Sequence, residues 1–155
     1  MLATLVTGDP HALQPPVQFG YQDPVTLNVF FGAATWLTPE QRRAVLERMQ
    51  TEPQALHQAW LDALEWFDPQ RVTLEPLGWQ QGEASTAVRM TVRLNEGEGP
   101  EWALELGAFV RGPIAVVLGE GYVRTWSRVP PVDWQALAQT LDQRISSQIL
   151  ATPTP

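Results

Sequence analysis

The sequence predicts an α+β domain: an antiparallel meander sheet of about four to five strands, with two helices in the N-terminal half and a C-terminal helix packed on one face of it. Three observations carry this reading. Two helix starts follow each other between Thr38 and Gln54. The period of the apolar residues then changes from 3.6 to 2 at Arg71 and stays at 2 as far as Trp126. An amphipathic stretch behind "PPVD" closes the chain. Strands grouped between helices, without β-α alternation, give an antiparallel sheet.

Residues 1–24 are rich in Pro, Gly, Asp and Gln and read as an extended lead-in, with a short strand at Val17–Tyr21. "VTLNVFF" puts Val25, Leu27, Val29 and Phe31 on one face of a strand. In "LTPEQRRAVLERMQ" Thr38 is the N-cap, Pro39 takes the first helical position and Gln41 completes a capping box. "TEPQALHQAWLDALEWF" repeats the signal, with Thr51 as cap and Gln54 three residues on. Its stripe is Leu56, Ala59, Trp60, Ala63, Leu64 and Phe67, ended by Asp68-Pro69.

"RVTLEPLGW" is a strand ending at Gly78. "STAVRMTVRL" is a half-solvated one, with Val88, Met90, Val92 and Leu94 on its apolar side. After the turn "NEGEGP", the strand "EWALELGAFV" aligns Trp102, Leu104, Leu106, Ala108 and Val110. The short link Arg111-Gly112-Pro113 makes Ile114–Leu118 its antiparallel neighbour. Gly119 and Gly121, inside a strand that resumes at "YVRTW", suggest a bulge. Asp133 caps the last helix, whose stripe is Trp134, Leu137, Ala138, Leu141, Ile145 and Ile149. Residues 151–155 are a frayed tail. With no repeat or linker, residues 1–155 read as a single domain.

Composition narrows the function. With 44% hydrophobic and 17% charged residues the chain is globular. It has no cysteine, which removes disulfides, thiolate metal sites and thiol nucleophiles. A net charge of −7, with ten scattered arginines and no lysine, argues against a nucleic-acid partner. No window has the length of a membrane span. The expected location is cytoplasmic if Met1 is the native start, and extracytoplasmic if the chain is a trimmed piece of a longer one.

The glycines of "GAFVRGPIAVVLGEGY" raise the question of a phosphate loop. A phosphate loop needs Gly-Lys-Ser/Thr running into a helix, and a dinucleotide fingerprint needs a helix after its glycines. Here "GEGYVRTW" continues as a strand, so these are turn glycines. His57 has no acidic partner at helical spacing and His11 lies far from it in sequence, so His57 is expected at the surface or boundary and no metal or other cofactor is expected. No serine stands in a nucleophile-elbow setting. Glu101 and Glu105, with Glu120 on the next strand, and Arg89, Arg93, Arg111 and Arg124 read as cross-strand ion pairs on a solvated sheet face. The alternative is a polar ligand site built from the same residues.

Seven tryptophans are many for this length. Trp60, Trp102 and Trp134 fall on core faces. Trp36, Trp66, Trp79 and Trp126 do not, and with Arg111 and Arg124 they are the candidate binding residues. From Leu77 onward, Leu77-Gly78, Gly82–Ser85, the turn Phe109–Gly112, the apolar run Ile114–Leu118 and the segment Pro131–Ile149 form a pattern. It resembles PsbP-like domains and the sensor domains of PknH-type kinases with their bacterial lipoprotein relatives. The resemblance covers about half of the chain, and this sequence lacks the cysteines that PknH-type domains use. It implies an antiparallel sheet with flanking helices and a binding or assembly role without catalysis, and supplies no catalytic residues.

The expected function is therefore that of a non-enzymatic binding or adaptor domain, offering a Trp-containing surface or a shallow pocket to a protein partner or small ligand. A homodimer is among the expected assemblies. Two alternatives stand beside it: an acidic, chaperone-like or immunity-like inhibitor of a basic protein, and a small enzyme with an Arg/Glu-lined cup for an acidic substrate.

Overall fold

The computed structural model describes residues 17–26, 28–62, 71–93, 99–124 and 132–151. They form β1 (Val17–Gln22), β2 (Val29–Trp36), α1 (Pro39–Thr51), α2 (Pro53–Asp62), β3 (Val72–Pro76), β4 (Ala84–Arg93), β5 (Glu101–Arg111), β6 (Ile114–Val123) and α3 (Trp134–Ala151). The strands make one antiparallel sheet in the order β1-β2-β6-β5-β4-β3. The fold is α+β, as expected, with six strands where four to five were predicted; the short strand at Val17–Tyr21 completes the count.

The order follows from one long connection. β2 lies near one edge and β3 at the other, so the chain must cross the sheet between them, and α1 and α2 make that crossing. The meander β3-β4-β5-β6 then returns and closes against β2. Thr38 caps α1 as predicted: its hydroxyl accepts the Gln41 N–H at 3.2 Å, and the Gln41 side chain accepts the Thr38 N–H at 3.0 Å. Thr51 does not cap α2. It is the last residue of α1, where its hydroxyl donates to the Glu47 carbonyl at 2.8 Å, and the break falls at Glu52. Asp133 caps α3, accepting the Ala136 N–H at 2.9 Å.

The sheet is buried on both faces, which corrects the expectation that all helices share one. α1 and α2 cover one side, where Val45, Met49, Leu56, Trp60 and Leu61 meet Val88, Met90, Leu104, Leu106, Val110 and Val117. α3 covers the other, where Trp134 and Ala138 meet Ala87, Phe109, Val116 and Leu118. Both sets of alternate residues on β5 and β6 are thus mostly apolar, the pattern of doubly covered strands, with the half-buried Glu105 and the buried Glu120 as exceptions on the α3 side.

Several local expectations change for the same reason. α2 turns Leu56, His57, Trp60 and Leu61 inward and leaves Ala59 exposed; residues 63–67 and Asp68-Pro69 lie outside the described residues. Leu137 of α3 is exposed. Val25 sits in a turn ahead of β2 and not in the strand, while Leu27 and Leu94 lie outside the described residues. Gly119 and Gly121 form no bulge, because β6 keeps an unbroken register with β5. They make room instead: Phe31 and Leu106 fill the space over Gly119, and Trp102 fills that over Gly121. Gly112 does turn the β5–β6 hairpin, at φ +55°, a conformation that suits glycine.

Candidate functional site

Two features share the α3 side of the sheet: a buried polar cluster under the start of α3, and an apolar groove along its flank.

The cluster begins with Glu105 and Glu120, direct cross-strand partners on β5 and β6. Glu105 accepts from three side chains. Arg89 donates through Nε to its Oε1 at 2.9 Å, the Tyr122 hydroxyl donates to the same oxygen at 2.9 Å, and Trp134 Nε1 donates to Oε2 at 3.0 Å. Burial pushes the Glu105 carboxyl up, but the bonds from Trp134, Arg89 and Tyr122 together outweigh it and hold the carboxyl below its ordinary value. Glu120 is only 1% exposed and accepts the Val132 N–H at 2.7 Å. Burial lifts its carboxyl to about 7, the Val132 bond opposes the rise, and the charge on Glu105 adds to it.

The pairing of Arg89 with Glu105 was anticipated, but on a solvated face. It is half-covered, because α3 lies over it. Both oxygens of Glu105 already accept hydrogen bonds, and Glu120 is shut away from solvent. A general base must come within hydrogen-bond reach of the proton it takes. The cluster therefore anchors α3. A second anchor lies further along: Arg111 forks onto the buried Asp142 at 2.6 and 2.7 Å, and the Gln81 side chain donates to Asp142 at 2.6 Å.

The groove runs between α3 and the outer strands β1 and β2. It encloses about 380 Å³ and is lined chiefly by Val17, Phe19, Ala34, Trp36, Leu141 and Ile145, a volume within the range of ligand sites. It exists because α3 is pinned over β5 and β6 and does not reach β1. The result is a shelf of large apolar side chains in water: Val17 is 74% exposed, Phe19 44%, Tyr21 63% and Trp36 57%. Phe19 is steadied by Phe30, with ring centres 5.6 Å apart, and by Gly32, whose missing side chain admits its ring.

The predicted binding residues are not brought together. Trp36 is on the shelf. Trp79 is drawn beneath α3 instead, 5.0 Å from Trp134 and 6.1 Å from Phe109 between ring centres. Arg111 is held by Asp142, and Arg124 pairs with Glu101 at the far end of the sheet. Trp66, Trp126 and His11 lie outside the described residues. His57 is not at the surface but buried, 2.6 Å from the Thr86 hydroxyl and with its ring tilted against that of Trp60, and burial lowers its pKa. Among the described residues no three His, Asp or Glu side chains gather as metal ligands, and no helix is long and apolar enough to cross a membrane. Sequence reading missed Val17, Phe19 and Tyr21. Their alternation in "VQFGYQ" was the signal, hidden inside a Pro-rich stretch.

No protein-family profile matches the chain, and no curated protein matches it. Among solved structures it is similar to PA94 of Pseudomonas aeruginosa, a protein of unknown function, at 11% identity and a TM-score of 0.38, over 95% of this chain and 88% of that one.

Proposed function

We propose that this chain is a non-enzymatic binding domain that takes an extended, apolar segment of a protein partner. The segment lies along the outer edge of β1 and sends alternate side chains toward the shelf and groove beside α3. One observation carries the reading: four large apolar side chains stand exposed beside a strand that pairs, among the described residues, with β2 alone. Edge-strand addition supplies main-chain hydrogen bonds for affinity and side-chain contacts for selectivity. Trp36 is the anchor, since a large rigid ring at a groove rim concentrates binding energy. The engagement of Arg89, Arg111 and Arg124 by carboxylates speaks for this reading over a cup for an acidic substrate. A binding or assembly role is also what the PsbP-like resemblance implies.

The test is titration with a short synthetic peptide alternating valine and threonine, followed by amide and indole NMR shifts. Saturable shifts confined to β1, β2 and the Trp36 indole are expected, with affinity falling roughly tenfold or more in Trp36→Ala. Shifts centred elsewhere, or no saturation, would overturn the proposal.

A further inference from the structure

We propose that the strand received by β1 is the β1 of a second copy of this chain, so that two sheets join into one across a two-fold axis normal to their plane. This rests on the reading of β1 as a docking edge and names what docks there.

Charge is the first argument. The chain carries a net charge of −7, so two copies repel each other overall. β1, "VQFGYQ", carries no charged residue. Two such edges meet without repulsion, and the edge offers no charge by which a foreign partner could be selected.

Edge protection is the second. Exposed strand edges are commonly blunted by charge, proline or shortness. β3, at the opposite edge, has all three: it spans only Val72–Pro76, ends in proline, which cannot donate to a neighbouring strand, and carries Glu75. β1, one residue longer, has neither a charge nor a proline within its span. Among the described residues each chain has one open edge and one blunted edge, which gives a closed pair and not a growing fibre.

Geometry is the third. A two-fold axis normal to the sheet makes the strands antiparallel and keeps the α3 sides of both copies on the same side. Residues opposite each other then point the same way. Centred on Phe19, this register sets Phe19 against the second copy's Phe19, and Val17 against its Tyr21. Gln18 and Gly20 meet on the reverse side. All the exposed apolar groups of β1 are then matched within one row. A six-residue edge with these side chains falls short of the ~1,200 Å² of a standard interface, so the pair should be weak and dependent on concentration.

The experiment is sedimentation velocity of the full chain over a wide concentration range, with two double variants. The wild type should move from the 17.3 kDa chain to twice that mass as concentration rises, and added salt, which screens the repulsion between two acidic chains, should favour the dimer and not weaken it. Val17→Lys/Tyr21→Lys should be monomeric at every concentration, since it sets like charges opposite each other twice. Val17→Lys/Tyr21→Glu should recover the dimer, because this register alone sets the new charges against their opposites. The natural absence of cysteine permits a further check. Phe19→Cys should form a disulfide-linked dimer on oxidation, and Val25→Cys, more exposed in its turn at 87% against 44%, should not. A wild type that stays monomeric overturns the proposal. So does a dimer that both double variants leave intact and that Phe19→Cys does not cross-link. A monomer that still binds the valine-threonine peptide at β1 would refute the second copy and leave the docking edge standing.

Discussion

Glu120→Gln should stabilise the protein, and the gain should depend on pH in a defined window. The unfolded carboxyl titrates at its ordinary 4.5 and the folded one at about 7. An acid whose pKa is raised by folding favours the folded state while protonated. Its penalty is absent below pH 4.5, grows as pH rises from 4.5 to 7, and is complete above 7. A displacement of this size corresponds to about 3 kcal/mol, a net figure in which the bond from Val132 already offsets part of the cost of burial. Glutamine keeps an acceptor for that N–H and carries no charge. Glu120→Gln should therefore match the wild type near pH 4.5 and exceed it at pH 8 by up to about 3 kcal/mol, or roughly 6–12 °C in a chain of this size.

The assay is urea unfolding followed by circular dichroism from pH 4.5 to 8, read as the difference between variant and wild type. The difference is needed because His57 titrates nearby with the opposite sign. Its folded pKa lies below the ordinary 6.5, so its contribution grows with pH up to that value. Glu105 and Asp142, both lowered on folding, lose their contributions only below the ordinary carboxylate range. A gain that is the same at pH 4.5 and pH 8 would refute the reasoning, because the carboxyl would then not be titrating between them.

Other perturbations test the fold at separate points. Gly107→Val should destabilise by about 1–3 kcal/mol, since the rings of Trp134 and Trp79 already occupy the space over Gly107; an unchanged melting temperature would contradict this. Thr86→Val leaves buried His57 without its hydroxyl partner and should cost about 1–3 kcal/mol, read by chemical denaturation. Asp142→Asn should loosen α3 from Arg111 and cost a similar amount, with faster amide exchange along α3 as the direct readout. Thr38→Ala should cost about 1 kcal/mol through loss of the α1 cap.

How much of this was legible in the sequence depends on whether the deciding contact is local. The Thr38 capping box, the Asp133 cap and the Gly112 hairpin are set within four residues, and each was readable. The side of the sheet that α3 covers is set by contacts between distant segments. A hint existed in β5 and β6, where Ala103, Phe109, Val116 and Leu118 interrupt the polar alternation that a solvated face would show. Taken seriously, that hint also moves Glu105 and Glu120 from a wet surface to a buried layer. Trp79 looked free because its partners, Phe109 and Trp134, lie 30 and 55 residues further on. His57 looked isolated because only acidic partners at helical spacing were sought, whereas its partner is a strand hydroxyl.

The polar cluster and the groove are one feature seen from two sides. Trp134 is fixed to Glu105, Val132 to Glu120 and Asp142 to Arg111, so α3 is tied at its start and middle to β5 and β6. A slide of α3 toward β2 and β1 would cover Phe19 and Trp36, at roughly 25 cal/mol per Å² buried, but would uncover Phe109, Val116 and Leu118 in exchange. The three tethers prevent that by making any displacement leave buried polar groups unpaired, at a cost of about 1–3 kcal/mol for each. The shelf therefore remains open because the helix beside it is held by polar bonds, and a docking segment meets a preformed surface without having to move α3 aside.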